Sequence, residues 1–193
     1  MVYYFLFMEL FGASIREIVV VIHALGAAIG IGTVFVTDYL FFKFLKAKRL
    51  SENSVAVMKS LSEMIWIALG ILLASGIYLV VSEPTFLDSP KFILKMVIVG
   101  MILLNGLILN IYLTPKLSQI AFYLSNKVEG DAPDHVRKIA MFAGAFSMIS
   151  WLSAFILGKM SSIPFSLATG IGIYFGILVL IALGASLTKP RKE

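Results

Sequence analysis

Five stretches of this sequence carry no charged side chain over a length sufficient to cross a bilayer: Ile18 to Thr37, Met64 to Ser82, Met96 to Pro115, Ile139 to Gly158 and Met160 to Thr188. A hydrocarbon layer of ~30 Å needs about 20 residues of helix. In such a layer every backbone amide and carbonyl must find its partner within the segment, and isolated apolar runs of this kind cannot close a barrel. The chain is therefore expected to be all-α, an integral membrane bundle of five transmembrane helices. The helices are expected at about 15–45, 52–82, 91–124, 135–159 and 163–188, in one transmembrane domain covering 1–193. Composition supports a lipid solvent: 60% of the residues are hydrophobic and 14% charged, more apolar than one water-soluble core of this size can conceal.

The polar connections predict the orientation, because lysine and arginine in short loops stay on the cytoplasmic side. Lys43, Lys46, Lys48, Arg49 and Lys59 flank the first turn, Lys116, Lys127, Arg137 and Lys138 the third, and Lys189, Arg191 and Lys192 form the tail. Only Arg16, Lys91, Lys95 and Lys159 lie on the other side, among Glu9, Glu17, Glu83 and Asp88. The N-terminus is thus expected outside and the C-terminus in the cytoplasm of a multi-pass protein of the plasma (inner) membrane. The net charge of +5 follows from this asymmetry, so no nucleic acid is expected as a partner. Tyr3, Tyr4, Phe5 and Phe7 beside Glu9 fit an interfacial N-terminal segment over 1–13, with no signal peptide to be removed. Ser51 is a candidate N-cap for the second helix, and Glu129, Gly130, Asp131, Ala132 and Pro133 mark a break before the fourth.

Lipid supplies little drive for helices to associate, so bundles close through small residues that let backbones approach. Gly26 and Gly30, Gly70 and Ala74, Ala140 and Gly144, and Gly172 and Gly176 have that spacing. Such faces also allow a homo-oligomer or a membrane partner protein. On a wheel of 100° per residue, His23, Gly26, Ala27, Gly30, Val34 and Phe41 share one stripe of the first helix. Lys95, Ile102, Gly106 and Leu113 share one of the third, and Gly144, Ser147, Met148, Trp151 and Phe155 one of the fourth. These three faces are expected to converge, with His23 and Trp151 at similar depth and Lys95 nearer the outer surface.

His23 is the candidate metal ligand, being the histidine that falls inside an uncharged membrane run, where ionisable groups are expensive and usually functional. Neutral imidazole can bind haem iron, copper or zinc without bringing charge into hydrocarbon; the alternative is a hydrogen bond to a neighbouring helix. Lys95, about one turn into the third helix, can pair with an anionic group of a ligand, such as a haem propionate; the alternative, open to Lys91 as well, is extension to the head groups. Asp38 and Glu63, with Lys43 and Lys59, are expected at the cytoplasmic ends of the first two helices, as an ion-pair cluster or, as the alternative, a proton entry point. Asn105, Asn110, Ser147 and Ser150 are expected to make interhelical hydrogen bonds, and His135 to lie in a soluble loop. The chain has no cysteine, which removes disulfides, thiolate metal sites and cysteine nucleophiles. No phosphate-binding glycine loop, metalloprotease helix or serine triad pattern is present, and methionines 96, 101, 148 and 160 lack the clustering of a Cu(I) route.

His23 followed by Gly26, Gly30 and Gly32, Lys95 at the outer start of the third helix, and Pro115 with Lys116 give the chain a partial resemblance to the small bacterial membrane proteins of the CopD copper-resistance and HemJ protoporphyrinogen oxidase families. The likeness covers helices one to three. It implies haem b held by His23, with Lys95 functionally important, in a redox or haem-related protein. The site residues so implied or placed nearby are His23, Lys95, Trp151, Gly26 and Gly30. The chain departs from the pattern in having five helices rather than four, and in offering no second intramembrane histidine for a six-coordinate iron. Two other classes fit the same residues: a non-catalytic membrane assembly subunit and a small-solute transporter. Transport would need polar groups at mid-depth, which the asparagines of the third helix scarcely supply.

Overall fold

The computed structural model describes residues 12–46, 52–116 and 134–187. The expected interfacial segment up to Phe11, the Ser51 cap and the break at 129–133 lie outside them. Within them the chain is helical: α1 Ile15–Lys46, α2 Glu52–Ser82, α3 Pro90–Ile108, α4 Asp134–Lys159 and α5 Leu167–Leu187. A short 3-10 turn, Pro84–Asp88, joins α2 to α3, and a π turn, Leu109–Leu113, continues α3. Among the described residues five helices are long and apolar enough to cross a membrane.

Local chemistry sets the helix ends. Ser14 and Glu17 form a reciprocal cap at the start of α1. The Glu17 amide donates to Ser14 Oγ at 3.3 Å, and Glu17 Oε2 accepts from the Ser14 amide at 2.7 Å and its hydroxyl at 2.8 Å. Pro90 opens α3, where a missing N–H is harmless. The fifth helix starts at Leu167, four residues later than 163. Pro164 cannot donate a helical hydrogen bond, and Ser166 Oγ accepts from the Thr169 amide at 3.2 Å as the cap. His135 lies within the first turn of α4 rather than in a loop.

Contacts across the helices fix their order. Arg16 on Glu83, His23 on Ser75 and Gly26 on Ile71 run α1 antiparallel to α2. Gly30 on Trp151 and Asp38 on Gly144 run it antiparallel to α4. Lys91 on Met160 and Asn105 on Ala143 do the same for α3 and α4, while Leu94 beside Gly170 sets α5 parallel to α3. Helix α4 is thus the centre, touching α1, α3 and α5, and α2 flanks the bundle on α1. Trp66 of α2 reaches Gly106 of α3, but the two backbones do not pack along each other.

The core follows from that order. Val34, Leu69, Ile98, Ile102, Phe146, Trp151, Tyr174 and Leu178 are buried together. The polar groups among them are mostly satisfied inside the bundle. Thr33 and Thr37 donate to the carbonyls of Ile29 and Thr33 at 2.7 Å. Asn105 Nδ2 donates to the Ala143 carbonyl at 3.0 Å, and Ser150 links α4 to Tyr174 of α5. Asn110 and Ser147, expected to bridge helices, have no such bond among the described residues, and Asn110 is exposed. Gly26, Gly30 and Gly144 are close-approach positions. Gly70, Gly172 and Gly176 have nothing within 4 Å of where a Cβ would stand, so those pairs do not close this bundle.

Candidate functional site

The residues that carry chemistry gather at the Arg16 end of the bundle. His23 stands about two turns into α1, and its Nδ1 lies 2.8 Å from Ser75 Oγ of α2. The Ser75 hydroxyl has one proton, which it gives to the Ile71 carbonyl at 2.6 Å. Ser75 must therefore accept from His23, so Nδ1 carries the imidazole proton and Nε2 keeps its lone pair. The Leu72 carbonyl stands beside the ring as a second acceptor, and a Cβ at Gly76 would lie 3.7 Å from His23 Cε1. A serine on an antiparallel helix thus sets the tautomer and the tilt of the ring, as the partners of metal-bound histidines do.

Lys95 rises from α3 at the same end. Its Nζ lies 3.7 Å from where a Cβ would stand on Gly158 of α4. Among the described residues it has no hydrogen bond and no ion pair, although it is half-buried. Lys91, one turn earlier, behaves differently: its Nζ donates to the Met160 carbonyl at 2.7 Å and approaches the Ser161 carbonyl at 3.4 Å. It neutralises the carbonyl end of α4, where cations are favoured. The carboxylate nearest in kind, Glu83, is engaged by Arg16 at 3.1 Å. An ammonium left without a counter-charge in such surroundings is ordinarily matched by an anion.

The remaining expected site residues form a packing group rather than a second ligand shell. Gly26 fits against Ile71 and Leu72, and Gly30 against the six-membered ring of Trp151. Trp151 is 3% exposed and sits across from Gly30, seven residues or about 10 Å beyond His23 along α1, deeper than the shared level expected from the wheel. The stripe divides because α1 meets two neighbours: its His23–Gly26 portion faces α2, and its Gly30–Asp38 portion faces α4.

Asp38 departs from the expected ion-pair cluster. It is 8% exposed, its Oδ2 has no partner, and Oδ1 would stand 2.8 Å from a Cβ on Gly144. Lys43, Lys59 and Glu63 are exposed and make no ion pair with it. The sequence held the signal: Asp38 is four residues after Val34 and three before Phe41, both assigned to the buried stripe.

One imidazole at the Arg16 end of the bundle offers Nε2, and one ammonium there has no anion among the described residues. Among the described residues no three histidine, aspartate or glutamate side chains group as a metal cage. No family model, no curated protein and no solved structure matches this chain.

Proposed function

We propose that this chain is a polytopic protein of the plasma membrane, N-terminus outside and C-terminus cytoplasmic, that holds a haem b in its outer half for a redox or haem-related role. The observation that carries this reading is the pairing, at one end of the bundle, of an imidazole whose Nδ1 proton is given to Ser75 with the unmatched ammonium of Lys95. His23 would hold the iron through Nε2, and Lys95 would pair with a propionate. Haem supplies reversible one-electron chemistry when bound. The residues of this chain orient the ring of His23, hold its proton at Nδ1, and compensate an anion at the edge of the lipid. The partial likeness to CopD and HemJ proteins supports the same assignment.

The test is the absorption spectrum of protein purified in detergent from haem-replete cells. A Soret band is expected, lost in His23→Ala and weakened in Lys95→Ala, with Ser75→Ala shifting it. A colourless protein that also fails to bind added haemin refutes the proposal.

A second reading, assembly with copies of itself or with a membrane partner, is favoured by one observation: Gly172 and Gly176 of α5 are exposed, with nothing within 4 Å of an added Cβ among the described residues. Gly172→Leu is then expected to dissociate an oligomer measured by light scattering in detergent, and a monomeric parent protein removes this reading.

A further inference from the structure

Asp38 is an acidic side chain in the middle of a packed helix face. α1 brings it to α4, where Gly144 has no side chain and the carboxyl group occupies the vacated space. Only 8% of the residue is exposed, and Oδ2 has no hydrogen-bond partner. Among the described residues the charged groups of the elements around it do not compensate it. Lys59 and Glu63 of α2 and Lys43 of α1 are exposed, Lys138 of α4 is only partly buried, and no charged group of the described residues acts on the carboxyl. The second orphaned buried polar atom among the described residues, Trp151 Nε1, belongs to the side chain that packs on Gly30 of the same α1–α4 seam. Asp38 and Gly30 are eight residues apart, about 12 Å, so the two orphans do not satisfy each other.

We infer that Asp38 is a proton-binding site on the α1–α4 seam, occupied by a proton while the two helices are packed and released when water enters beside Gly144. The reason is electrostatic. An ionised carboxylate without a partner in apolar surroundings is far more expensive than the neutral acid, so such a group takes up a proton instead. Hydration reverses the preference, and the route to water is the seam itself, because Gly144 offers no side chain that would have to move. Acidic side chains inside membrane helices are characteristically the groups that accept and pass protons. The site lies at the end that the lysine-rich connections mark as cytoplasmic, away from His23, and it does not depend on haem being bound.

Dicyclohexylcarbodiimide gives a direct test, because it dissolves in lipid and adds to protonated carboxyls. The acid O–H adds across one C=N bond: the carboxylate oxygen bonds to carbon, the proton goes to nitrogen, and the acyl group migrates to give a stable N-acylurea with no leaving group. The full chain in lipid nanodiscs is treated over a pH series and digested for mass spectrometry. The Asp38 peptide is expected to gain one reagent mass, at a rate that falls as pH rises, while the exposed Glu63 and Asp88 remain unmodified. In parallel, the infrared spectrum is expected to contain a carboxylic C=O band that is lost in Asp38→Asn and fades on alkalinisation. If Asp38 is unlabelled and Asp38→Asn leaves the band region unchanged at every pH, the inference fails. Protection of Asp38 by sodium or potassium chloride at fixed pH, absent with choline chloride, would also overturn it, by showing a metal-cation site.

Discussion

Gly30→Ala tests the architecture at its tightest point. A Cβ on residue 30 would stand 2.3 Å from both Cη2 and Cζ3 of Trp151. Carbon atoms rest at about 3.5–4.0 Å, so the shortfall is more than 1 Å. Trp151 is 3% exposed and its ring is enclosed, so it has little room to turn aside. Either α1 and α4 separate or the indole is forced off its rotamer, and overpacking of this kind costs about 1–3 kcal/mol. Trp151→Phe removes the distal carbons that collide. On its own it leaves a void and is destabilising, but together with Gly30→Ala the new methyl partly refills the space. The double variant is therefore expected to be more stable than the sum of the two single changes predicts, by more than the ~0.5 kcal/mol scatter of additive pairs. Reversible unfolding in mixed micelles, followed by circular dichroism, measures all four proteins. Stability of Gly30→Ala equal to the parent, or strict additivity, would refute the α1–α4 contact as described. Gly32→Ala is the control, since nothing lies within 4 Å of its added Cβ.

Other consequences can be checked separately. The chain lacks cysteine, so single cysteines report topology directly: Asp88→Cys is expected to react with an impermeant maleimide in intact cells, and Lys127→Cys only after permeabilisation. Reversal of that pattern would invert the proposed orientation. Tyr174→Phe removes the hydroxyl that donates to Ser150 at 2.8 Å, since Ser150 gives its own proton to the Phe146 carbonyl at 2.7 Å. Only an acceptor is left unfilled, so the expected loss is about 0.5–1.5 kcal/mol in the same unfolding assay. Lys91→Met releases the Met160 and Ser161 carbonyls at the end of α4. Faster hydrogen exchange across 160–166 is expected, with the spectrum of any bound haem unchanged, whereas Lys95→Met should alter the spectrum and leave exchange there unchanged.

Much of the candidate site was legible in the residues, but not its arrangement. His23 and Lys95 stood out because ionisable groups are rare in apolar runs. Ser75 did not, since a serine in a membrane helix is unremarkable until another helix brings a ring nitrogen to it. The charge of Asp38 groups it along the chain with Lys43 and Lys59, whereas its spacing from Val34 and Phe41 puts it on the buried face. The Ser14–Glu17 cap was also readable, as a serine followed three residues later by glutamate.

By itself the sequence determined that the described chain is helical and where its five long apolar runs fall, because a helix satisfies its own backbone and an uncharged run of about 20 residues is legible residue by residue. It could not determine which glycines touch a neighbour, since Gly30 and Gly172 look alike along the chain and differ only in what stands opposite them. It could not show that α4 is the central helix, that α1 divides its face between α2 and α4, or that the proton of His23 is committed to Ser75. Those are properties of pairs of helices distant in sequence, and they are decided by close packing and hydrogen-bond geometry, which no single helix contains.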